Sequence, residues 1–219
     1  MAELDDATLD ELRDALSGEV AANAAFDGWR TPAVDAAAAT LGVDPDLARL
    51  AFRDGPVAMI DAWFAHVDRA MLAALPPETL ATMKIRQKIA ALVEARLAIL
   101  APYRESLRRA LAVLAMPQNL AAAARVAWRS ADVMWRAAGD TATDYNHYTK
   151  RAILAGVYGA TVQVFLGDES EGAADTRAFL QRRIDGIMRF EKAKAGFLAR
   201  TRHRPSLSRF IGRLRYPVV

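Results

Sequence analysis

No cysteine occurs among the 219 residues, so neither a disulfide framework nor a thiolate metal site is open to the chain, and a reducing compartment is expected. Proline (9) and glycine (12) are scarce. With so few breakers, a chain that is 53% hydrophobic and rich in alanine is expected to be all-α. The longest stretch without charge, Ala152 to Gly167, is 16 residues, short of the roughly 20 that cross a bilayer. The opening Met-Ala-Glu-Leu-Asp-Asp has neither the apolar run of a secretory signal nor the arginines of a transit peptide, which leads us to expect a soluble, cytoplasmic chain. Lysine is missing from residues 1–70, where five arginines face fourteen carboxylates for a net charge of −9. Residues 177–219 reverse this, with twelve basic and two acidic side chains, net +10. Such asymmetry bears on what each end can bind.

Helical punctuation is frequent. Leu9, Leu12 and Leu16 predict a first helix over 6–17. Thr31-Pro32 opens a second, which Gly42 ends, and Asp44-Pro45 opens a third to about Phe52. Asp54-Gly55-Pro56 starts a longer one to Leu75, and Pro76-Pro77 marks the clearest internal boundary. Further helices are predicted over 78–100, 102–115, 119–138, 145–166, 173–195 and 206–215. This divides the chain into a 1–75 subdomain, a 76–195 helical domain and a 196–219 tail.

Residues 31–52 have helix-turn-helix proportions, and with their flanking helices they resemble the N-terminal part of TetR-type regulators. Reading DNA requires cations for phosphate. Here Asp44, Asp46 and Asp54 stand against Arg49 and Arg53 in a region of net −9, so a scaffold is expected and nucleic acid is not an expected partner.

Within the larger domain, Leu111, Leu114, Trp128, Tyr158 and Phe165 are candidates to line an apolar ligand cavity. Gly156 and Gly159 weaken their helix by roughly 1 kcal/mol each relative to alanine, which suggests close approach by another helix or a ligand. Ordinary packing or a dimer interface accounts for the same pattern. In the tail, Leu207, Phe210, Ile211 and Leu214 form an apolar stripe behind Ser206, with Arg209 and Arg213 beside it. That pattern fits an interfacial helix on an anionic membrane surface, and equally a terminal helix docked on the protein body.

Catalytic motifs are sparse. Asp132, Asp140, Asp144 and His147 lie near one another in sequence but match no helix-face metal spacing, and no phosphate loop or nucleophile elbow occurs. Neither an enzyme, nor a metal, nor a cofactor is expected.

Met116-Pro-Gln-Asn119, Met134-Trp135, Ala138-Gly-Asp140, Thr143-Asp-Tyr-Asn146, Tyr148-Thr149, Arg151-Ala152 and Tyr158 together resemble the ubiquinone biosynthesis accessory lipid-binding family, the ninth of the numbered coenzyme Q proteins. The resemblance implies a TetR-like fold without DNA binding, a homodimer, and an isoprenoid quinone precursor or phospholipid held in the larger domain. It also implies delivery to the di-iron demethoxyubiquinone hydroxylase by a protein peripheral to the inner membrane. The family's docking patch carries over to Asp132, Met134, Asp144, Tyr148 and Arg151, and His147 stands where the family often has tryptophan. A TetR-like regulator sensing a hydrophobic ligand is the alternative.

Overall fold

The computed structural model describes residues 7–141 and 145–187, apart from the side chains of 145 and 146. Two compact units divide at Leu180 and Gln181. In the second, residues 181–187 are helical.

Helix α1, Leu9–Asp27, begins in a capping box: the Glu11 backbone N–H donates to Thr8 Oγ1 (3.3 Å), and the Thr8 backbone N–H donates back to Glu11 (2.8 Å). It runs ten residues past the predicted end at 17. Val20 and Ala24 extend the buried row of Leu12 and Leu16 at four-residue steps, so burial carries the helix through Gly18 until Gly28 (φ 71°) stops it. Helix α2, Thr31–Leu41, ends at a left-handed Gly42, and α3, Pro45–Ala51, is capped by Asp44, which accepts from the Asp46 and Leu47 amides. Helix α4 spans Pro56–Ala74.

Where one helix was expected over 78–100, the structure has α5, Pro77–Ala81, and α6, Ile85–Leu100. The break falls at 82–84 because the Lys84 amide donates to Gln87 Oε1 (2.9 Å), restarting the chain as a new helix. Then come α7 (Arg104–Leu114), α8 (Leu120–Ala137) and α9 (Tyr145–Gly167), with residues 174–180 beginning a further helix. Among the described residues there is no strand.

The N-terminal helices are pinned to α7 through aromatic and polar contacts. Trp29 lies 5.2 Å from Trp63 of α4, and its indole N–H donates to the Ser106 carbonyl (3.1 Å). The buried Ser106 hydroxyl donates in turn to the Ala21 carbonyl (2.5 Å). Helix α4 continues the core with Ile60, Phe64, Val67 and Met71, and its far side meets α6 and α8 through Asp68 and Asp61. Asp168 ties the end of α9 to the next helix by accepting from the backbone and hydroxyl of both Ser170 and Thr176. Those bonds, the Ser170 and Thr176 hydroxyls foremost, hold its carboxyl far below the usual range against the opposing effect of burial.

Candidate functional site

Helices α8 and α9 pack against each other and turn through Ala138-Gly139-Asp140, with Gly139 at φ 91°. The corner is held by a buried ionic clasp. Arg151, 1% exposed, donates from Nε to Asp132 (2.5 Å) and from Nη1 to Asp140 (3.1 Å) and to the His147 carbonyl (3.1 Å). Lys150 adds a bond to Asp140 (2.7 Å) and Arg136 one to Asp132 (2.9 Å). Trp135 donates its indole N–H to the Lys150 carbonyl (3.0 Å), and the Lys150 ammonium lies 5.4 Å from that ring. Burial tends to raise the Asp140 carboxyl, but hydrogen bonds from Lys150 and Arg151 outweigh it and hold the group below its ordinary value.

Outside the clasp stands a cluster of rings. Trp128 is 6.0 Å from Tyr148 and 6.4 Å from His147, and the last two meet edge-on at 5.1 Å. Tyr148 is 62% exposed, a large amphipathic side chain held out from a rigid base.

The expected docking residues thus divide. Tyr148 and half-buried His147 face outward; Met134 is fully buried in the core, and Arg151 is consumed by the clasp that Asp132 completes. In this structure Asp132 and Arg151 bind the corner together and Met134 packs in the core. Asp144 lies outside the described residues. Asp140 and Lys150 are structural members that the docking reading did not include; the i, i+10 pairing of opposite charges across a glycine corner was the available signal.

Among the expected lipid-lining residues, Leu114, Tyr158 and Phe165 are buried and Leu111 is half-buried. Phe165 packs beneath the Arg104 guanidinium (4.2 Å) and Tyr158 beneath that of Arg96 (5.0 Å). Trp128 sits instead with the corner rings. An open groove of about 580 Å³ lies elsewhere, between Phe26, Arg30, Val34, Phe52, Arg53 and Met59 of the N-terminal helices. Gly156 and Gly159 face open space, so the close neighbour expected there is not supplied by the described residues.

On α3, the helix that would enter a groove in a DNA-binding helix-turn-helix, Leu47 and Leu50 are exposed. Arg49 pairs at the surface with Asp35 (2.8 and 3.1 Å) and Asp46 (3.0 Å). Among the described residues no three His, Asp or Glu side chains converge as metal ligands, and no single helix is long and apolar enough to cross a membrane. The tail candidates Leu207, Arg209, Phe210, Ile211, Arg213 and Leu214 lie outside the described residues.

The family model described as COQ9 matches residues 120–191, which contain α8, the corner and α9. The chain is 35% identical over 167 residues to the ubiquinone biosynthesis protein COQ9, mitochondrial, of Rattus norvegicus, covering 74% of this chain and 54% of that protein. To the Homo sapiens protein of the same name it is 32% identical over 168 residues, covering 74% and 52%. The chain therefore spans about half the length of the curated relatives it matches. A solved TetR transcriptional regulator from Nitrosomonas europaea ATCC 19718 superposes with a TM-score of 0.63 at 26% identity, covering 80% of this chain and 97% of that one.

Proposed function

Since the chain is a homologue of the COQ9 proteins with a TetR-like fold, we propose that it is a non-catalytic accessory protein of ubiquinone biosynthesis. It takes an isoprenoid quinone precursor from a membrane surface into its helical body and presents it to the di-iron demethoxyubiquinone hydroxylase. The observation that carries this reading is the coincidence of the family match with the α8–α9 corner. There a buried salt-bridge clasp supports exposed Tyr148 with Trp128 and His147 behind it. A rigid base under an exposed aromatic is what a protein-docking hot spot requires, because little side-chain freedom is lost on binding.

In the same reading, the protein acts as a homodimer peripheral to the inner membrane. A second copy supplies the neighbour that Gly156 and Gly159 leave open, and the basic tail rests on anionic lipid. A TetR-type regulator sensing a hydrophobic ligand is the alternative, the solved neighbour being a TetR transcriptional regulator. The acidity around α3 counts against it, since Asp35 and Asp46 flank its arginine, Arg49, and would repel phosphate. A pull-down of the purified hydroxylase by the full chain and by Tyr148→Ala tests the docking role. Equal capture by both refutes it. Tight, sequence-dependent retardation of upstream DNA at low salt favours the regulator instead.

A further inference from the structure

The open groove of about 580 Å³ between the N-terminal helices has a floor of Val34, Phe52 and Met59, all buried, and a rim on which Phe26 stands 86% exposed. A large ring held in water beside an apolar floor is the composition of a ligand groove. Three arginines line the groove against one carboxylate, Asp27. Arg49 is paired with Asp35 and Asp46, and Arg53 lies 3.8 Å from Asp54. Arg30 is different. Its Nε donates to the Asp27 backbone carbonyl (3.0 Å), but its two Nη groups are spent on no partner among the described residues. A second cation stands beside it. A methyl group built on Gly28 would lie 3.4 Å from Arg30 Nε, 3.7 Å from its Nη2 and 4.0 Å from Arg109 Nη1 of α7. Glu105 holds Arg109 through Nε (3.0 Å), which leaves Nη1 near that point. Two guanidinium groups from segments far apart in sequence thus converge where Arg30 borders the groove. Like charges so placed favour an anion between them.

We propose that this groove binds a small apolar monocarboxylate. The Nη groups of Arg30 take its carboxyl group, with Arg109 Nη1 beside them, and its hydrocarbon body lies on Val34, Phe52 and Met59 under Phe26. The planar fork of an arginine matches a carboxylate in two parallel hydrogen bonds. The apolar floor favours a hydrocarbon body over a bare ion. A polyanion does not fit, because Asp27, Asp35, Asp46 and Asp54 flank the groove and repel a charged backbone laid along it. A single charge seated at Arg30 meets two cations first. The groove shares no residue with the α8–α9 corner, so this site goes beyond the docking and carriage readings and stands apart from both.

Isothermal titration calorimetry of the full chain with β-naphthoate, and with its uncharged counterpart β-naphthamide, tests the site. The carboxylate binds about tenfold tighter than the amide, because it alone makes charge-assisted bonds. Arg30→Gln loses about tenfold toward naphthoate and leaves the amide unchanged, whereas Phe26→Ala weakens both. Both residues are exposed, so neither substitution disturbs the fold, which equal melting temperatures check. Equal affinity for the two probes, or binding of neither, overturns the proposal. So does naphthoate binding to Arg30→Gln as to wild type, which places the probe in another pocket. Phe26→Ala without effect, or displacement of naphthoate by equimolar inorganic phosphate, overturns it too, by reducing the arginines to a general anion site.

Discussion

Replacing Arg151 by alanine separates the base of the corner from the surface it carries. Arg151 is 1% exposed and makes three hydrogen bonds, two of them to carboxylates. Removing one partner of a buried ion pair typically costs about 3–5 kcal/mol, because the remaining charge stays buried. Here Asp140 keeps Lys150 and Asp132 keeps the exposed Arg136, which places the expected loss near the lower end, about 3 kcal/mol. For a domain of this size that corresponds to a melting temperature lower by roughly 6–12 °C. Equilibrium urea unfolding followed by tryptophan fluorescence measures it directly, since Trp135 is bonded to the Lys150 carbonyl beside the substituted position. Tyr148→Ala is the contrast: at an exposed site the stability change is within about 0.5 kcal/mol, yet hydroxylase capture falls. If Arg151→Ala unfolds at the wild-type urea concentration, or Tyr148→Ala is equally damaging to stability, the division into buried clasp and presented ring is wrong.

Four other outcomes are expected. Trp29→Phe keeps most of the aromatic contact with Trp63 but loses the indole bond to the Ser106 carbonyl, which keeps its place in the α7 helix, so stability falls by about 0.5–1.5 kcal/mol in the same urea assay. Gly28→Ala forces a side chain onto φ 71°, and calorimetry is expected to find a loss of about 1–3 kcal/mol. Acid loosens the corner and the turn after α9 together. Asp140 and Asp168 have folded-state pKa values below the ordinary carboxylate value, so their stabilisation is complete above about pH 4 and fades as pH falls through and below it, which near-ultraviolet circular dichroism follows. Truncation after Lys194 reduces sedimentation with anionic liposomes, and equal sedimentation removes the proposed role of the tail.

Much of the fold was legible because helix ends are local events. Thr31-Pro32, Asp44-Pro45 and Gly55-Pro56 each carry a cap or a fixed φ that acts within four residues, and the structure places α2, α3 and α4 there. The same locality explains the misses. Nothing near Ser17 stops α1, and only burial of Val20 and Ala24 against other helices decides that it continues to Asp27. At residues 82–84 a bond from the Lys84 amide to the Gln87 side-chain oxygen splits what hydrophobic periodicity reads as one helix.

The corner makes the distinction sharpest. Charged and aromatic residues crowding 132–151 were visible in the chain, as was their resemblance to a docking motif. Which of them face solvent was not, because Asp132, Met134, Tyr148 and Arg151 acquire their surroundings only when α9 folds back on α8. Local chemistry therefore determined the helices and most of their ends, whereas packing between helices distant in sequence decided that Arg151 is buried, Tyr148 presented, and Arg96 enclosed by Asp68, Ser130 and the Tyr158 ring. The physical reason is range: caps and dihedral preferences act over a few residues, while desolvation and charge pairing depend on whichever segments the fold brings together.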